Sequence, residues 1–114
     1  MANIRPITVT DAIADVSTAE TLLIPVTANM VGELKQVKTC LGGAITVADT
    51  KVIVSKNTTA LGTITVAYTS SAAGDIDTLD LAGVYLSVGD YIKIAGDGGS
   101  TDAARLGIAI DIMR

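Results

Sequence analysis

The chain has no histidine, no tryptophan and no phenylalanine, and a single cysteine, Cys40. Without histidine it lacks the commonest general base, the commonest metal ligand and every His-based nucleophilic triad. One cysteine excludes an intramolecular disulfide and a thiolate zinc cage, so the fold must hold without covalent staples. Cys40 lies in the strand-like run Val37 to Leu41, where the expected role is a small buried apolar residue. Tyr68, Tyr85 and Tyr91 are the only aromatics. That is little aromatic surface for a sugar platform, which weakens a glycosidase reading built on paired carboxylates. The chain therefore reads as a non-enzyme with no cofactor and no metal.

Charge is also sparse. The formal net charge is −4, with no long run of either sign and no basic stripe, so a nucleic-acid partner is not expected. No apolar run approaches the ~20 residues of a spanning helix, so a membrane partner is not expected either. The first residues lack a basic region followed by an apolar core, and no secretory signal is expected.

What is present is β grammar. Ala, Val, Ile, Leu and Thr dominate, and β-branched residues favour strands. At 114 residues the chain fits one domain, with one aliphatic core that buries about two-thirds of the unfolded surface. The last quarter carries the clearest pattern. Leu106, Ile108, Ile110 and Ile112 alternate with Arg105, Gly107, Ala109 and Asp111, as in a half-buried strand. Together with Tyr91 to Ala95 and the turn Gly96 to Thr101, this segment predicts a hairpin whose second strand is central to the fold.

Further strands are expected at Thr21–Val26, Glu33–Leu41, Thr50–Lys56, Thr63–Thr69 and Val84–Ser87. Asn29–Gly32 reads as a turn or bend, Ala44–Asp49 as an irregular link, Asn57–Gly62 as a hairpin connection and Ser70–Asp80 as a polar crossing. Residues 1–18 read as an extended arm with room for one edge strand, because Pro6 disfavours a central strand. A short helix fits only within Thr10–Ala19. The prediction is an all-β, single β-sandwich or jelly-roll-like domain of seven to eight short antiparallel strands over residues 19–114, preceded by an N-terminal arm.

Two loops invite chemistry. Asp75, Asp77 and Asp80 have an alternating acidic spacing that suggests calcium. The EF-hand pattern fails, however, for want of its glycine and terminal glutamate, and turn capping explains the aspartates. Gly98-Gly99 suggests a phosphate cradle, yet Gly96–Thr101 has no lysine and leads into a strand. A P-loop needs the lysine and a following helix. Tyr85 and Tyr91 either anchor an interface or cover the end of an aromatic-poor core.

A set of short pieces, in order, carries a resemblance. They are Pro25-Val26, Leu34–Val37, Leu41–Asp49, Lys51–Lys56, Gly62–Val66, Ser70–Asp75, Val88-Gly89-Asp90 and Gly98–Thr101. Over residues 20–112 their order and spacing resemble bacteriophage capsid decoration proteins, also called cement or head-stabilising proteins. The resemblance implies a jelly-roll subunit, usually trimeric, on the outer surface of the virion's capsid. Its partners would be the major capsid protein and copies of itself. Candidate capsid or subunit contacts are then Ile4, Arg5, Pro6, Ile7 and Val9 of the arm, with Tyr85 and Tyr91. An arm of this kind can add a strand to a neighbouring sheet. It also predicts that removing residues 2–17 leaves a folded β protein. The alternative readings are a head-fibre base, a tail-associated adhesin or a small carbohydrate-binding β-sandwich module.

Overall fold

The computed structural model describes residues 6–114. Nine strands form in chain order: β1 (Pro6–Ile13), β2 (Thr21–Pro25), β3 (Gly32–Leu41), β4 (Thr50–Lys56), β5 (Thr59–Val66), β6 (Ile76–Asp80), β7 (Tyr85–Leu86), β8 (Tyr91–Gly96) and β9 (Leu106–Met113). One 3₁₀ turn, Ala28–Met30, falls where the bend before β3 was expected. All pairings are antiparallel. Sheet A runs β1-β9-β3-β6, with β7 on the first residues of β3, and sheet B runs β2-β8-β4-β5. The chain is thus an all-β, two-sheet antiparallel sandwich.

Leaving out the two-residue β7, the pairs nest: β4 with β5, β3 with β6, β2 with β8 and β1 with β9. One long folded ribbon wound over two sheets gives this order, which is the jelly-roll arrangement. Period-two alternation decides which side chains enter. Leu106, Ile108, Ile110 and Ile112 of β9 are buried and meet Ile92, Ile94, Val52, Val54, Ile64 and Val66 from sheet B in one cluster. β9 lies between β1 and β3, the inner position its alternation predicts. A bulge at Lys35 lets both Leu34 and Val37 of β3 face the core.

The expected hairpin between β8 and β9 does not form. β8 belongs to sheet B and β9 to sheet A, so residues 97–105 cross from one sheet to the other. The true tight hairpin is β4–β5, where Asn57 takes a positive φ of 54° and the link shortens to Asn57-Thr58. The polar crossing 70–80 ends in a strand, β6. Its alternation is weak because only Asp77 and Leu79 face inward. Leu79 covers the side of β5 at Gly62, where an added Cβ would lie 2.9 Å from Leu79 Cδ1.

The boundary expected at residue 18 does not separate an arm from the sandwich. Pro6–Ile13 pairs along its whole length with β9. Pro6 occupies the first strand position, where its missing N–H costs no ladder bond. No helix forms over Thr10–Ala19; Ile13 and Val16 are core residues there. Removing residues 2–17 would therefore strip two buried side chains and uncover β9, contrary to the arm expectation.

Cys40 is exposed, not buried. Val37 and Leu41 point inward, so parity sends Thr39 into the core and Cys40 to the outer face.

Truncating a core side chain of β9 should therefore cost far more than truncating an outer one. Ile110→Ala is expected to destabilise by about 2–5 kcal/mol in urea unfolding. Leu23→Ala, on the exposed face of sheet B, is expected to stay within about 0.5 kcal/mol of the parent.

Candidate functional site

The two loops singled out for chemistry carry carboxylates that bond within the fold. Asp75 accepts a hydrogen bond from the Ala72 amide at 2.8 Å and closes its own turn. Asp80 accepts from the Gln36 side chain across the β3–β6 pair. Asp77 sits at the sheet edge on the inward register, opposite Thr39. Burial, with the Asp75 charge beside it, raises its carboxyl above the usual range. Asp75 and Asp80 thus accept from different neighbours. Among the described residues no cluster of His, Cys, Asp or Glu is placed to hold a metal ion.

The glycine-rich turn is a strap between sheets. Asp97 Oδ1 accepts from the amides of Lys51 (2.9 Å) and Gly99 (2.8 Å) and from the Thr50 hydroxyl (3.3 Å). Its own amide donates to the Lys51 carbonyl at 2.9 Å. Partial burial pushes the Asp97 carboxyl up, but these donors outweigh it and the net shift is downward. Further along, Asp102 Oδ2 accepts from the amide (2.6 Å) and hydroxyl (2.8 Å) of Thr46. The crossing is thereby fixed to the start of β4 and to the β3–β4 link. Gly98 has a φ of +68°, and a Cβ there would lie 2.7 Å from the Ala19 nitrogen. The Asp97 carboxylate, the Gly99 amide and the Ser100 hydroxyl of the turn are all engaged by the fold.

The remaining candidate is the outer face of sheet A. Three strands present matched rows there. Ala12, Gly107 and Cys40 share one register row, Thr10, Ala109 and Lys38 the next, and Thr8, Asp111 and Gln36 the third. The small side chains on β9 leave a trench of about 540 Å³ between taller neighbours, with Arg105 at one end and Ile76 of β6 on its flank. Below it, Thr8 Oγ1 donates to Asp111 at 2.7 Å and Lys38 lies 3.9 Å from the same carboxylate. These contacts close the trench toward its lower end. A final row joins Pro6, Met113, Glu33 and Tyr85.

The expected contact residues are thus partly assembled. Pro6 and Tyr85 share that last outer row, and Tyr85 is 63% exposed. Ile7 and Val9 are half-buried and pack against the core cluster. Tyr91 lies on sheet B, its amide donating to Asn57 Oδ1 at 3.0 Å and its carbonyl accepting from the Asn57 amide at 2.9 Å. Ile4 and Arg5 lie outside the described residues. Sequence reasoning missed Lys38, Arg105 and Gly107 as a group. The signal was half visible: Arg105 and Gly107 appear on the polar side of the β9 alternation, but nothing local announces β1 and β3 as its neighbours.

No protein-family model and no curated protein matches this chain.

Two measurements probe the strap. Gly98→Ala is expected to lose about 1–2 kcal/mol from the left-handed backbone alone, and more from the close approach to Thr18 and Ala19, read as a lowered urea midpoint. The second concerns pH. Asp15, Glu33, Asp90 and Asp97 all carry lowered carboxyls, held down by hydrogen bonds from Ser17, Gly83, Asn57 and the Lys51 amide with its neighbours respectively. A lowered folded pKa gives stability that is present above the ordinary carboxylate range and lost as pH falls through the folded value. Acid unfolding should therefore set in below about pH 4. Asp97→Asn, which cannot ionise, should be less stable at pH 7 but show a shallower acid limb.

Proposed function

We propose that this chain is a structural virion protein that decorates the outer surface of an icosahedral phage capsid and bridges neighbouring major capsid proteins. The observation that carries this reading is the ordered set of strand and turn pieces from Pro25 to Thr101. These pieces fall on elements of one jelly roll. Pro25-Val26 closes β2, Leu34–Val37 lies in β3, Lys51–Lys56 in β4, Gly62–Val66 in β5, and Gly98–Thr101 in the sheet-to-sheet crossing.

The chemistry is consistent with a mechanical role. The carboxylates that stood out in the sequence cap turns and join strands. Among the described residues, four exposed apolar side chains lie on or beside the paired ends of β3, β7 and β9: Val31 before β3, Tyr85 on β7, Val88 after it and Met113 on β9. Such a patch suits contact with another protein surface. Many copies on a repeating lattice gain avidity even where each contact is modest. Association of three copies would cover apolar surface that a small monomer leaves in water.

Naked shells from the phage whose genome carries this sequence provide the test. Purified protein is expected to co-sediment with them to a saturating stoichiometry and to raise the temperature at which they break open. Sedimentation of the free protein reads the trimer. No uptake by shells sinks the decoration reading, and density on fibres or tail in electron micrographs transfers the chain to those structures.

A further inference from the structure

The trench on sheet A has features that its own fold does not require. Gly107 is the second residue of β9, paired on both sides with Ala12 and Cys40, and glycine inside a paired strand weakens it by about 0.5–1 kcal/mol relative to alanine. Packing does not force it. Its φ lies outside the left-handed region, and an added Cβ would meet only the Cys40 carbonyl oxygen at 3.6 Å and Cys40 Cβ at 3.9 Å, which are ordinary contacts. A side chain would fit, and it would fill the trench. Glycine within a strand often marks a bulge, a tight bend or a site of close backbone approach, and the pairing at Gly107 has no bulge.

The rim has a definite charge. The chain as a whole carries −4, yet two cations, Lys38 and Arg105, border this trench. Arg105 is exposed and, among the described residues, has no ion-pair partner; Lys38 reaches Asp111 only at 3.9 Å. The one carboxylate on the trench lining is Asp11, whose oxygen already accepts from the Ala12 amide at 2.8 Å. Beside the cations stands an apolar wall, with Ile76 65% exposed and Cys40 next to it in register.

We propose that this trench docks an extended segment of a partner protein bearing carboxylate side chains. Its backbone lies over Gly107 and Ala109, its carboxylates face Lys38 and Arg105, and an apolar residue rests on Ile76. Adding the segment to β1 as a further strand is the less favourable mode. Pro6 and the inward-register Asp11 guard that edge, as prolines and inward charges do on edge strands. Resting on the decoration reading, the inference assigns the segment to the capsid protein and makes the outer face of sheet A the shell-facing surface.

Cys40 is the only thiol and lies on the trench, so maleimide labelling reports its coverage directly. The probe is the naked shell. Cys40 is expected to label at least about tenfold more slowly on shells than free. The double variant Lys38→Glu/Arg105→Glu and the trench-filling Gly107→Val should each weaken shell binding by about tenfold or more. Raised salt should weaken the wild type and, by screening the Glu–carboxylate repulsion, narrow its advantage over the charge-reversed variant. Thermal melts check the fold of each variant; should Gly107→Val unfold, the charge variant and the Cys40 footprint decide. Wild-type uptake with Cys40 labelled as fast as in free protein, or with both variants binding like wild type, overturns the trench and leaves the decoration reading standing. Absence of wild-type uptake overturns both.

Discussion

Everything in this molecule hangs on the contact between two inner sheet faces made mainly of aliphatic side chains, with Thr39 and Thr50 the fully buried polar ones on their strands. No ring system fills the gap and no disulfide spans it, so each Val, Ile and Leu must interdigitate at close packing. β9 is the centre of that contact on sheet A, with four branched residues at full burial in one strand. The same strand, turned over, presents Gly107, Ala109 and Asp111, half-buried, to the outer face, with Arg105 just ahead of it. One strict alternation thus sets both the core and the character of the outer face. A slip of one residue in its register would exchange the two.

Holding the faces together at their ends falls to short polar side chains. Asp97 ties the β8–β9 crossing to the start of β4, Asp102 ties it to the β3–β4 link, and Ser71 brackets Ile45 by accepting from its amide and donating to its carbonyl. Ile45 is buried by that bracket although it lies outside any strand. This division of labour explains an acidic protein with few exposed ion pairs of consequence. Its carboxylates accept mainly from backbone amides, where a charge-assisted hydrogen bond is stronger than a solvated surface pair.

Much of this was readable from the chain, and the failures have physical causes. The β9 alternation predicted an inner strand because four inward positions of one parity leave no other reading. The β8–β9 hairpin was misread because neighbours in sequence usually pair; the turn chemistry was correct for a tight connection, but Asp97 and Gly98 make their close approaches to Lys51 and Thr18 on other elements. β6 was overlooked because Leu79 is the only aliphatic its short edge strand sends inward. The exposure of Cys40 was recoverable, since Val37 and Leu41 fix the parity of the residues between them. The trench was not, because its floor on β9 and its flanks on β1, β3 and β6 become neighbours only through tertiary pairing.

The nested winding has a kinetic side. The innermost pair, β4 with β5, closes over two residues, whereas Thr8 and Asp111 of the outermost pair are 103 positions apart. Loop-closure entropy and high contact order favour zipping from the β4–β5 turn outward, with β1 arriving on β9 last. The floor on β9 and the flanks on β3 and β6 would then stand before that step, with the β1 flank last to settle. On that route the proposed docking surface is completed only with the last strand, so a copy lacking β1 would offer a partner an incomplete trench.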